Sequence, residues 1–179
     1  MKTLKKPEAL EGKFVRLRLA TEDDAKFTLD LRLEPHNAKR FNTTIDNDIE
    51  KQKKFIRKCL NSDSEYFFII ERKDGKSLGT VSLYDIRDKS ATGGRWCMTR
   101  ESSAQESLEG DCLFKNYVFN VLGFHNTFFS VLKSNKKVIR YHKNWQSVIT
   151  DENEKEVFFT MTADIFNENR RYFEKMLYE

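Results

Sequence analysis

Apolar and basic residues alternate through FVRLRL (Phe14–Leu19), the period of two expected of a strand with one buried face. In TEDDAKFTLDLRL the pattern turns helical: Thr21 is placed to cap, and Asp24 three residues on makes a weaker relative of the capping box. Pro35 ends that helix, because the residue before a proline is pushed out of helical geometry. A second helix is predicted from about Asp48 to Leu60, with Ile49, Phe55, Ile56 and Cys59 on its apolar side. EYFFIIER and SLGTVSLYDI are β-rich runs joined through KDGK, where Asp74-Gly75 signals a hairpin. GRWCMT (Gly94–Thr99) reads as a short strand. Leu108, Cys112 and Phe119 recur at helical spacing from about Ala104 to Val121, and Gly123 stops that helix. TFFSVL (Thr127–Leu132) is a strand, and NKKVIRYHKNW (Asn135–Trp145) a helix with Asn135 placed to cap it. QSVIT and KEVFFTMTA are strands flanking the polar turn DENE, and a C-terminal helix opens at Asp164.

This order predicts a mixed α/β domain whose sheet is mostly antiparallel, with one strand–helix–strand crossover from GRWCMT to TFFSVL. No repeat, low-complexity run or Pro/Gly/Ser linker divides the chain, so residues 1–179 are read as a single domain. At 39% hydrophobic and 34% charged residues the composition is that of a soluble folded protein, and 15 Phe against 2 Pro suit a packed core with short connections. No apolar run approaches the roughly 20 residues of a membrane span. MKTLKKPEALEGK has no apolar stretch, so it does not read as a signal peptide. Cys59, Cys97 and Cys112 form neither a zinc-type pair nor a disulfide framework, so a cytoplasmic protein without a metal is expected. The net charge of +4 comes from interspersed residues, and KQKKFIRK (Lys51–Lys58) has the look of a solvated helix face. With no recognition motif beside it, neither a nucleic-acid nor a membrane partner is expected.

The crossover is where chemistry can gather. A strand feeding a helix N-terminus aims unpaired N–H groups and the positive end of the helix dipole at one point, which suits phosphate. Ser102, Ser103, Ala104, Gln105, Glu106 and Ser107 stand there. Two readings are open: a phosphate cradle made of serines, or only a capping box, Ser103-x-x-Glu106, which needs no ligand. In the following helix, His142 lies about two turns beyond Asn135 and returns to its face, while Tyr141 is its neighbour. A phenol or imidazole there can pass a proton to a leaving group; otherwise Tyr141 is core and His142 surface.

These segments resemble the GCN5-related N-acetyltransferase (GNAT) superfamily, and more narrowly its RimJ/RimL-like branch. FVRLRLATEDDAKFTLDLR is similar to that branch's opening, FFIIERKDGKSLGTVSLYDI to its strand–turn–strand, and NYVFNVLGFHNTFFSVLKSNKKVIRYHKNW to its most specific stretch. The resemblance runs from about Gly12 to about Ala163. It implies that the GRWCMT and TFFSVL strands are a parallel pair that splays apart. An acetyl-CoA arm would then lie against Trp96, Cys97 and Met98, its pyrophosphate on the N–H groups of Ser102 to Ser107, with Asn135 a further cofactor contact. His142 falls where many relatives carry Tyr as the acid, which makes His142 and Tyr141 the catalytic candidates.

Three departures accompany the resemblance. The family loop Q/R-x-x-G-x-G/A meets Ser102, Gln105 and Ser107, so its small positions are altered. A relative's acidic residue falls on Thr92, so no base is named. Trp145-Gln146 stands where relatives read "lGF". The stretch RLEPHNAKRFNTTI with EKQKKFIRKCLNSDSEYFFIIE is similar to acyltransferases of nucleotide-linked deoxyamino sugars, which would place Arg32, Asn42 and Gln52 at the acceptor. The expected activity is acetyl transfer to a primary amine of a small molecule, by a monomer or homodimer. The alternatives are a protein N-terminal acetyltransferase and a non-catalytic GNAT-shaped binding module.

Overall fold

The computed structural model describes residues 6–41 and 43–179. The strands among them form one sheet: β1 (Ala9–Glu11), β2 (Val15–Leu19), β3 (Tyr66–Arg72), β4 (Ser77–Arg87), β5 (Ser90–Met98), β6 (Asn126–Leu132), β7 (Val148–Glu152) and β8 (Glu156–Thr162). Their order is β1-β2-β3-β4-β5-β6-β8-β7, antiparallel throughout except between β5 and β6. The α-helices are α1 (Ala25–Leu33), α2 (Pro35–Ala38), α3 (Ile49–Asn61), α4 (Ala104–Asn116), α5 (Lys136–Asn144) and α6 (Ala163–Tyr178).

The central strand β3 divides the helices into two layers. Tyr66, Phe68 and Ile70 join a core with Phe114 of α4, Trp145, and Phe166 and Phe173 of α6. The alternate residues Phe67 and Ile69 point the other way, onto Ala25 of α1 and Ile56 and Cys59 of α3. No helix among the described residues is long and apolar enough to cross a membrane.

Several boundaries differ from the sequence expectation. The Thr21 segment opens as a 3-10 turn (Glu22–Asp24) before α1 begins. Pro35 does follow the end of α1 at Leu33, yet it also opens α2, where a missing N–H costs nothing. Asn37 then donates its amide to the carbonyls of Leu31 (3.0 Å) and Met98 (3.2 Å), docking α2 on the end of β5. The strand expected at Gly94–Thr99 starts four residues earlier, at Ser90, in a hairpin with β4. The helix expected to reach Val121 passes into π geometry over Tyr117–Val121 before Gly123, at φ +70°, ends it. β1, three residues long, is too short to show a period.

One carboxylate fixes the crossover helix. Glu109 of α4 is fully buried and accepts the N–H groups of Lys13 (2.7 Å), Phe14 (2.7 Å) and Val15 (2.8 Å), and the Tyr178 hydroxyl (2.7 Å). It ties α4 to the start of β2 and the end of α6, so the tip of α4 is held in place relative to the sheet.

Candidate functional site

β5 and β6 share three pairs, Ser90 with Asn126, Ala91 with Thr127 and Thr92 with Phe128, and then separate. Beyond that point β5 stays on β4 as far as Met98, and β6 stays on β8 as far as Leu132. Two strand edges, Gly93–Met98 and Phe129–Leu132, therefore face each other across a V without pairing. An unpaired edge is a template for an extended, amide-bearing chain.

A bulge accounts for the divergence. Between the pairs Thr80–Cys97 and Ser82–Gly94, β4 advances past Val81 alone while β5 fits both Arg95 and Trp96. Such an insertion bends and twists the strand that carries it. Arg95 takes φ +53°, its carbonyl accepts the Thr80 hydroxyl at 2.9 Å, and its guanidinium lies 4.0 Å from the Tyr84 ring centroid. The sequence placed Arg95 in this strand but carried no sign of the bulge, since only a glycine would have marked a left-handed position.

At the α4 tip both readings of the serine segment meet. The capping box is real: the Ser103 hydroxyl accepts the Glu106 N–H (3.1 Å), and the Glu106 carboxylate accepts the Ser103 N–H (2.7 Å). Glu106 is folded back onto Arg72, bound at 2.5 Å and 3.1 Å. The Arg72 guanidinium, opposed by burial and helped by the Ser103 N–H, lowers its pKa to about 2. Its charge is thus paired with Arg72 instead of standing bare at the tip. Ser102 gives its N–H and hydroxyl to the Thr99 carbonyl (3.4 Å and 2.7 Å), and Ser107 both of its own to that of Ser103 (3.1 Å and 3.0 Å). Of the six N–H groups from Ser102 to Ser107, the four of Ser102, Ser103, Glu106 and Ser107 are thus already bonded within the chain, which leaves those of Ala104 and Gln105 at the tip. The Gln105 side chain is exposed.

Across the V, the half-buried Asn135 makes no side-chain cap bond to α5. The His142 ring packs against Phe129, with centroids 4.3 Å apart. Phe129 is the first β6 residue past the last β5 pair, so His142 stands at the apex of the V. Its Nδ1 is buried without a hydrogen-bond partner. Burial first, then the Lys115 ammonium, lower its pKa to about 3 against a small opposing effect of Asp111. At neutral pH the ring is uncharged, an N–H donor on one nitrogen and an acceptor on the other. Tyr141 is differently placed: its hydroxyl donates to Asp111, which Lys115 also binds, and the Lys115 ammonium lies 4.3 Å from the Trp145 ring centroid. Burial and then Asp111 raise the phenol's pKa well above its usual value. Asp111 and Lys115 also escaped the sequence reading, because Tyr141, which ties the pair to α5, lies 30 residues from Asp111.

The remaining candidates line the α1–α3 side or the β5 wall. Cys97 is buried, and burial pushes its thiol up to about 12, so it is an un-ionised wall residue. Trp96 and Met98 are partly buried against the α4 core. Arg32 donates to the Thr43 carbonyl (2.6 Å) and hydroxyl (3.2 Å) and lies 3.6 Å from the Phe41 ring centroid. No carboxylate pairs with Arg32 among the described residues. Gln52 donates to the Thr28 hydroxyl at 2.9 Å, holding α3 on α1. Asn42 lies outside the described residues. His36, also not foreseen, approaches the Met98 carbonyl at 3.4 Å through Nε2. No cluster of three or more His, Cys, Asp or Glu suited to a metal occurs among the described residues.

A family model described as acetyltransferase (GNAT) domain matches residues 15–148. Among solved structures, apo FdhC, described as a nucleotide-linked sugar GNAT, aligns at 30% identity and a TM-score of 0.81, over 94% of this chain and 98% of that one. A spermidine N-acetyltransferase from Vibrio cholerae in complex with CoA and spermine aligns at 15% identity and 0.78, over 87% and 99%. The ribosomal-protein-S5-alanine acetyltransferase from Vibrio fischeri aligns at 15% identity and 0.75, over 87% and 97%. No curated protein matches this chain.

Proposed function

Because the chain belongs to the GNAT acetyltransferase family, we propose that it moves an acetyl group from acetyl-CoA to the amine of a nucleotide-linked amino sugar. The observation that carries the transferase reading is the loss of β5–β6 pairing past Thr92 and Phe128, beneath a helix tip with two free N–H groups. Those features fit the pantetheine amides and the pyrophosphate of CoA respectively. The sugar reading is supported by 30% identity to a nucleotide-linked sugar GNAT and by Arg32, a cation without a carboxylate on the acceptor side.

Acetyl-CoA supplies an activated thioester, from which the amine displaces the CoA thiol while the amine's proton ends on sulfur. The chain's own part is placement and polarisation. N–H groups of the β5 edge near Cys97 and Met98 hold the carbonyl, where preorganised donors stabilise developing negative charge. His142, neutral at the apex, offers an N–H to the departing sulfur as a hydrogen-bond donor. Tyr141, committed to Asp111, positions α5 beside it. With Thr92 at the expected base position, the amine's proton leaves through water, and holding the amine in line supplies much of the rate.

A thiol-release assay over nucleotide-linked amino sugars, peptides and polyamines tests the reading. Release with the sugars alone is expected. Turnover confined to peptides would replace it with N-terminal protein acetylation, and none with any amine would leave a binding module.

A further inference from the structure

A cleft of about 420 Å³ opens at the wide end of the V, lined by Phe41, Leu132, Lys133, Ser134, Glu154 and Lys155. Its walls come from three separate places: the loop after α2, the end of β6 with the turn into α5, and the β7–β8 turn. Leu132 ends the unpaired edge of β6, so the cleft continues the V outward. From Phe129 at the apex to Leu132 is three residues, about 10 Å of strand. Phe41 packs on Arg32 of α1, whose layer lies on the sheet face opposite α4, so a ligand here approaches from the side opposite the CoA pyrophosphate.

We propose that this cleft takes the nucleoside diphosphate of the acceptor, with the base stacked on Phe41 and the phosphates between Lys133 and Lys155. The proposal rests on the nucleotide-sugar reading and says where that specificity resides. One side of the Phe41 ring is backed by the Arg32 guanidinium at 3.6 Å. A base on the other side completes a cation–ring–base stack, which every nucleobase can make through its π face. Lys155 has no carboxylate within ion-pair distance among the described residues, and Lys133 shares its charge with Glu152 at 3.3 Å. Glu154 is the one carboxylate in the wall, an acceptor suited to ribose hydroxyls. A polyamine needs the reverse balance, several carboxylates and few cations. The cleft is therefore built for an anion carrying an aromatic ring.

The test compares wild type, Phe41→Ala and Lys155→Glu, with thymidine diphosphate as the competing probe. Two acceptors are used: a nucleotide-linked amino sugar, and the same sugar as its 1-phosphate. Loss of one base stack should raise KM for the nucleotide-linked sugar by about 5- to 150-fold in Phe41→Ala. That rise falls on KM rather than kcat and disappears with the sugar 1-phosphate. Lys155→Glu should raise both KM and the inhibition constant of thymidine diphosphate at least about tenfold, the loss of one good charge-assisted contact. Unchanged melting temperatures show that both variants fold. Nucleotide-linked sugar acetylated with KM unmoved in both variants overturns the subsite alone. No acetylation of any nucleotide-linked sugar, with other amines accepted, overturns the subsite and the reading together.

Discussion

His142→Phe keeps an aromatic ring against Phe129 and Phe159 and removes only the imidazole nitrogens, so it isolates the proton chemistry of the V apex. In the folded protein the imidazole titrates at about 3, against 6.5 when unfolded. Between these values the unfolded chain binds a proton that the folded chain does not. Stability therefore falls as pH drops below 6.5 and stops falling near 3 on this account. At about pH 5 the unfolded state is favoured by the 1.5 units below 6.5, which costs the wild type about 2 kcal/mol. Because that pH is still above the folded pKa, the cost is set by the unfolded value. Urea denaturation of both proteins at about pH 7.5 and about pH 5 measures it. All other groups titrate alike in the two, so the wild type should lose about 2 kcal/mol more than His142→Phe on acidification. Equal losses would show an imidazole that gains its proton freely, and the neutral donor assigned to the apex would be refuted.

Glu106→Ala removes half of the capping box and unpairs Arg72; unfolding should become easier by about 1 kcal/mol, as for other lost caps, while the Ala104 and Gln105 N–H groups remain and CoA affinity in calorimetry does not fall. The Glu106 contribution has a pH window of its own, fully present above 4.5 and lost as pH falls toward 2, which the same variant should abolish in acid titrations. Tyr141→Phe deletes a hydrogen bond to a charged, buried partner, and chemical denaturation should register a loss of about 2 kcal/mol. No measurable loss would mean that the phenol is not held by Asp111.

Features written in neighbouring residues were legible. Asp74-Gly75 makes the β3–β4 hairpin because Gly75 takes φ +89° and Asp74 accepts the Lys76 N–H at 3.0 Å. Ser103 and Glu106 declared the capping box by spacing alone. The strand–helix–strand crossover followed from the order of the elements, and the resemblance supplied the parallel pairing and its splay. What stayed hidden depends on distant partners. Glu106 also holds Arg72, 34 residues away, and Asp111 holds Tyr141, 30 away, and no local spacing announces either of these partners. The bulge rests on Arg95, a residue type that gives no hint of a positive φ. The outer cleft is assembled by three loops that meet only in the folded chain. Pro35 carried one local signal, an interrupted helix, and served two roles that sequence alone does not separate.

The parted strands are open to direct observation by hydrogen exchange of the backbone amides from Gly93 to Met98 and from Phe129 to Leu132, with and without acetyl-CoA. Amides on the facing edges should exchange quickly in the free protein and slow markedly when acetyl-CoA is added, while those already paired to β4 and β8 stay slow throughout. Edge amides that are equally protected in both states, or untouched by saturating acetyl-CoA, would contradict the account.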